Sequence, residues 1–211
     1  VNAGNSITSG GNYNTVVGDE AGTAITTGDS NTAVGYAALD ANTTANNNTA
    51  VGYSALTANT TGASNVALGV SSLAANTTGA GNCALGREAL NNNTTASNNT
   101  GVGLYALYAN TTGASNTAVG TNSLIANTTG NSNVAVGETA LDANTTGSNN
   151  VAVGRYALTT STTGYSNVAV GYATAYSITT GFNNTAMGES ALNANTTASN
   201  NTAVGQTSMY Y

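Results

Sequence analysis

Asn116-Thr117-Ala118-Val119-Gly120 returns seventeen residues later as Asn133-Val134-Ala135-Val136-Gly137, and this spacing decides the fold. The glycine recurs twelve times without a slip, from Gly18 through Gly35, Gly52, Gly69 and Gly120 to Gly205. Asparagine stands four residues before each of them, as in Asn31, Asn48, Asn65 and Asn116. A period held by several columns at once is the signature of stacked, equivalent coils.

The other columns fill in one coil. The residue before the glycine is Val in nine coils and otherwise Leu68, Leu85 or Met187; the residue four after it is Leu in nine, with Gly22, Ala175 and Met209 as exceptions. These two are read as core columns. Between the Asn and the Val stand Thr, Val or Cys and then, in ten coils, Ala. Two threonines, as in Thr43-Thr44, follow eight and nine after the glycine, and Gly or Ala comes next. Repeated Gly and Asn-Thr-Thr-Gly runs exclude a helix, while the Thr/Val-Ala-Val segment suits a short strand and Ala-Leu-x-Ala-Asn-Thr-Thr a second extended run. The expected fold is all-β, a parallel β-solenoid (β-roll) of 17-residue coils with about twelve rungs. At about 4.8 Å per rung it would make a rod core of roughly 58 Å. The reading is one continuous array over 1–211, with an irregular partial coil at 1–13 and a truncated last coil at 206–211.

Stacking assigns each column a task. The Asn column is expected to chain its amides along the axis, with the glycines marking turns. The Thr pair should split, one hydroxyl inward to backbone and one outward. Variable slots one, two, five and eleven after the glycine should face solvent; one coil apart they pair Tyr36 with Tyr53, Tyr165 with Phe182, and Glu138 with Arg155. The strand looks buried on both faces, and its Ala face is small enough for a second backbone to approach. Lateral assembly, most simply a trimer, is the expectation.

Charge is scarce: two basic and eight acidic residues give a net charge of -6. That weighs against nucleic acid as a partner. No apolar run is long enough for a membrane span and no basic-then-apolar leader opens the chain, so it reads as a mature or excised segment. The chain has no histidine, and its two basic residues are Arg87 and Arg155, which leaves general-base, thiolate-pair and Schiff-base roles almost without candidates. The adjacent Asp19 and Glu20 should point apart, and Cys83 reads as a small apolar filler. No Asp column for calcium and no phosphate loop is present, so neither a metal nor a cofactor is expected.

One modification motif recurs. Asn42, Asn59, Asn76, Asn93, Asn110, Asn127, Asn144 and Asn195 each open Asn-Thr-Thr, which makes them candidate glycosylation sites; on a second edge Asn47, Asn98, Asn183 and Asn200 open Asn-Asn-Thr. The same letters also suit a turn, and outward threonines could carry O-linked sugar.

At 31–35, 116–120 and 133–137 the Asn-Thr/Val-Ala-Val-Gly core resembles the head repeat of trimeric autotransporter adhesins of the YadA type, and phage fibre repeats. The resemblance implies a left-handed parallel β-roll, three chains side by side, surface display and adhesion. The 17-residue coil is longer than the usual head repeat, and within residues 1–211 the reading expects neither a coiled-coil stalk nor a membrane anchor. Residues 1–6 and 206–211 fall in equivalent parts of a coil, and Ile7-Thr8-Ser9-Gly10 matches Ile25-Thr26-Thr27-Gly28, so both ends read as uncapped and adhesive. The sequence therefore points to a structural subunit of an extracellular fibre, glycosylated, assembling laterally and end to end with copies of itself. A surface adhesin or phage tail-fibre segment meeting glycans or a host surface is the alternative, and an ice-binding solenoid the third.

Overall fold

The computed structural model describes residues 2–7 and 10–210, so Val1, Tyr211 and the Thr8-Ser9 half of the matching N-terminal motif lie outside the described residues. The chain is an all-β parallel β-solenoid whose three-residue strands recur every seventeen residues. It divides into two compact units, Val1–Leu104 and Tyr105–Tyr211.

In the first unit β1 (Thr15–Val17), β2 (Thr32–Val34), β3 (Thr49–Val51), β4 (Val66–Leu68), β5 (Cys83–Leu85) and β6 (Thr100–Val102) pair in parallel in sequence order. The second unit repeats this with β7 (Thr117–Val119), β8 (Val134–Val136), β9 (Val151–Val153), β10 (Val168–Val170), β11 (Thr185–Met187) and β12 (Thr202–Val204). Equivalent residues face each other, as in Thr32↔Thr49, Ala33↔Ala50 and Val34↔Val51.

The glycine that follows each strand has no substitute. Gly35 holds φ 128°, where an L side chain is strained, and a Cβ there would lie 2.5 Å from the carbonyl oxygen of Gly52. The tight approach lets that turn stack on the next one.

Two expectations are corrected here. The Val column is not core: the strands turn Ala33, Ala50, Ala118 and Ala135 fully inward, while Val17, Leu68, Met187 and Val204 are exposed. With Leu39 and Asn42 both fully buried in the same coil, the narrow interior has room only for Ala at the strand. The Ala face therefore cannot be the contact face for a second chain. Nor is Ala-Leu-x-Ala a second strand. Leu39, Leu56, Leu124 and Leu141 sit at φ 50–54°, in left-handed turns. A Leu there costs roughly 1–2 kcal/mol. Full burial of the side chain contributes about 2 kcal/mol in return, and the Leu39 N–H donates to the Ala55 carbonyl of the next coil at 3.0 Å.

Candidate functional site

The interior is held by two columns of asparagine. In the first, Asn48 donates its backbone N–H to Asn31 Oδ1 at 3.0 Å, and Asn65 does the same to Asn48 Oδ1 at 3.0 Å. Asn65 Nδ2 reaches both Asn48 Oδ1, at 3.3 Å, and the Gly79 carbonyl, at 2.9 Å. In the second unit Asn133 donates to Asn116 Oδ1 through its backbone, at 2.9 Å, and its Nδ2, at 3.1 Å. The column does what the periodic asparagine implied: each amide satisfies backbone that a narrow coil leaves unpaired.

The second column is made of the residues that open Asn-Thr-Thr. Asn59 Nδ2 donates to Asn42 Oδ1 at 3.0 Å and to the Gly62 carbonyl at 2.9 Å; Asn76 and Asn93 repeat the pattern. In the second unit Asn127 Nδ2 donates to Asn110 Oδ1, and Asn144 Nδ2 to Asn127 Oδ1, both at 2.8 Å.

This placement corrects the glycan reading of Asn42, Asn59, Asn76, Asn93, Asn110, Asn127 and Asn144. All seven are fully buried, and the amide nitrogen a glycan would occupy is bonded inside the coil. Asn195 is partly exposed, with its Nδ2 on the Ala198 carbonyl at 3.1 Å. On the second edge Asn47, Asn98, Asn183 and Asn200 are exposed. They hold φ 55–63°, which asparagine tolerates better than most residues.

In several coils the threonines split as expected. Thr60, Thr77, Thr128 and Thr145 each donate Oγ1 to the carbonyl one coil on, at 3.0–3.1 Å, whereas Thr61, Thr78, Thr129 and Thr146 are exposed. At Thr43-Thr44 and Thr196-Thr197 both threonines are exposed.

Outside, Tyr36 stacks on Tyr53 at 5.3 Å and Tyr165 on Phe182 at 4.8 Å, while Arg155 Nε meets Glu138 at 3.0 Å. Glu20, hydrogen-bonded to Tyr36, raises that phenol above its ordinary range. Asp19 Oδ1 accepts from the Asn2 N–H at 3.2 Å. Burial raises the carboxyl of half-buried Asp142. Cys83 is free and half-buried on the outward strand face, in place of the usual Thr or Val.

Among the described residues no helix is long and apolar enough to cross a membrane, and no three His, Cys, Asp or Glu residues converge as a metal site. Compared with protein-family models, curated proteins and solved structures, the chain finds no match.

The feature that sequence reasoning placed on the wrong side is the outward strand face. It presents Val66, Leu68, Val119 and Val136 at 36–49% exposure, beside Thr or Val and with no charge inside the strand. The signal was present in the Val-Ala-Val alternation, which puts two residues of three on one face.

Proposed function

We propose that the chain is a structural subunit of an extracellular fibre, and that copies of it pack side by side through the Val-bearing face of the strands. The observation that carries this reading is an apolar outer face on an all-parallel sheet, an arrangement that proteins ordinarily cover on both sides. Axial packing is the second part of the proposal. Coils meet their neighbours through the same register and through the first asparagine column, so one copy's coil is complementary to another's. The reading gives the chain no catalytic role, in keeping with a sequence that lacks histidine and lysine. Sugar, in this proposal, sits on the exposed Asn47, Asn98, Asn183 and Asn200 edge and leaves the buried amides bare.

Sedimentation and electron microscopy of the purified chain test the assembly. Filaments or a defined oligomer are expected, and Val119→Lys with Val136→Lys should return it to monomer by burying like charge at the contact. A wild-type chain that stays monomeric at every concentration ends the proposal. Intact mass of the natural product against 20.5 kDa tests the sugar.

A second reading, a surface adhesin, draws on the second unit alone, where Tyr165, Tyr172 and Tyr176 are 38–50% exposed. Aromatic rings in water are platforms for sugar faces. Loss of glycan-array binding on Tyr172→Ala would favour it over the fibre.

A further inference from the structure

We infer that the second unit binds one internal water molecule between the coils of Asn144 and Ser161, where it takes the place of a missing amide NH2. In an intact coil the Asn-Thr-Thr asparagine spends its Nδ2 twice: Asn144 Nδ2 donates to Asn127 Oδ1 at 2.8 Å and to the Gly147 carbonyl at 3.0 Å. That carbonyl accepts a second bond from Asn133 Nδ2 at 2.9 Å.

Seventeen residues on, Ser161 occupies the asparagine slot, fully buried like Asn144. Its Oγ faces the glycine three residues on, as the amide oxygen of an intact coil does. A Cβ built on Gly164 lies 2.8 Å from Ser161 Oγ, against 2.5 Å from Asn127 Oδ1 for one built on Gly130. What the serine does not supply is the NH2 of the amide. Three groups record the loss: Asn144 Oδ1 and Ser161 Oγ are buried without a hydrogen-bond partner, and the Gly164 carbonyl keeps Asn150 Nδ2, at 2.8 Å, where its counterpart Gly147 has two amide donors.

Water matches the vacated chemistry group for group. Its two protons replace the two amide protons, one to Asn144 Oδ1 and one to the Gly164 carbonyl, and its oxygen accepts from the Ser161 hydroxyl. Three bonds is the usual number for a buried water, and the site is polar on the faces that need it. The next coil in the column is Ile178, fully buried, which gives the hydroxyl no polar partner on that side and directs it back toward Asn144. Left dry, two buried polar atoms would each bear the cost of desolvation.

A high-resolution crystal structure of the wild-type chain, with oxygen-17 relaxation dispersion in solution, tests the site. The crystal should show one water about 2.8 Å from Asn144 Oδ1, Ser161 Oγ and the Gly164 oxygen. Ser161→Asn should supply the amide, expel that water, lower the count of long-lived waters by one and raise Tm. Ser161→Ala keeps the space and removes one partner, so the water should stay with a shorter residence time. Empty density between the three groups in the wild type, or an unchanged count in Ser161→Asn, overturns the inference.

Discussion

The coils around Asn127 and Ile178, both in the second unit, fill the same interior in two ways. The first pairs Leu124 with Asn127; the second places Ala175 at the Leu position and Ile178 at the Asn position, and all four side chains are buried. Bulk has moved across the coil. The first unit does the same near its beginning, where Gly22 stands for Leu and Ile25 for Asn, and a Cβ on Gly22 would lie 2.9 Å from Ile25 Cδ1 and 2.8 Å from Val16 Cγ1. Gly4 and Ile7 repeat the pair, with Ile7 Cδ1 3.0 Å from the Cβ site of Gly4. The interior thus has a fixed volume and two solutions, one polar and laddered, one apolar and without an amide bond from that slot. The polar solution is cooperative along the column because each amide serves its neighbour. The apolar one stands alone, and it leaves the adjoining column to end, as at Ser161.

The largest effect should come from forcing one solution onto half of the other. Asn127→Ile, made beside an unchanged Leu124, removes the donor that Asn110 Oδ1 accepts from and overfills the coil. Removing a buried amide bond costs about 1–3 kcal/mol and overpacking a similar amount, so a loss of about 3–5 kcal/mol is expected in denaturant unfolding. Comparable stability in this variant would show that the second amide column contributes little.

Adding Leu124→Ala to that variant rebuilds the apolar solution and should recover about 1–3 kcal/mol of the loss, the overpacking part alone. The bond from Asn127 Nδ2 to Asn110 Oδ1 stays lost. The comparison is sharpened by the coupling between the two substitutions, read from a double-mutant cycle. A coupling near zero would mean that the exchanges at Gly22/Ile25 and Ala175/Ile178 are coincident and not compensating.

How much of this was legible follows from what each column has to do. The period, the strands, the first amide column, the divided threonines and the aromatic stacks could be read because each depends on a residue repeating directly above its equivalent. Which side of Thr-Ala-Val faces inward could not, since hydrophobicity nominates Val, and only the coil's width, set by Leu39 and Asn42 together, selects Ala. The left-handed Leu turns were hidden for the opposite reason: leucine disfavours positive φ, and burial overrides that preference. The Asn of Asn-Thr-Thr looked like a surface acceptor because asparagine is usually exposed, and its second neighbour on the axis is invisible in a linear motif.

The smallest expected effect extends the comparison to a half-buried column, five residues after the glycine. Asn91 Nδ2 donates to the Ser71 carbonyl at 2.8 Å and Asn193 Nδ2 to the Ala173 carbonyl at 3.1 Å, each twenty residues back. Asp142 holds the same slot opposite Asn122, but an ionised carboxylate has no proton to give; Thr159 and nearby backbone N–H groups bond to the carboxylate, yet its Oδ1 is left without a partner. Asp142→Asn should supply that bond and raise stability by about 1 kcal/mol at pH 7. The pH dependence gives a second check. Burial raises the Asp142 pKa in the folded chain, so between the ordinary aspartate value and the raised one the folded state binds more protons than the unfolded state. Wild-type stability therefore rises as pH falls through the folded pKa, and the protonated carboxyl can then donate as asparagine does. The advantage of Asp142→Asn should be greatest at neutral pH and shrink on acidification. An advantage that grew toward low pH would mean that the carboxylate, not the carboxylic acid, is the form the coil prefers.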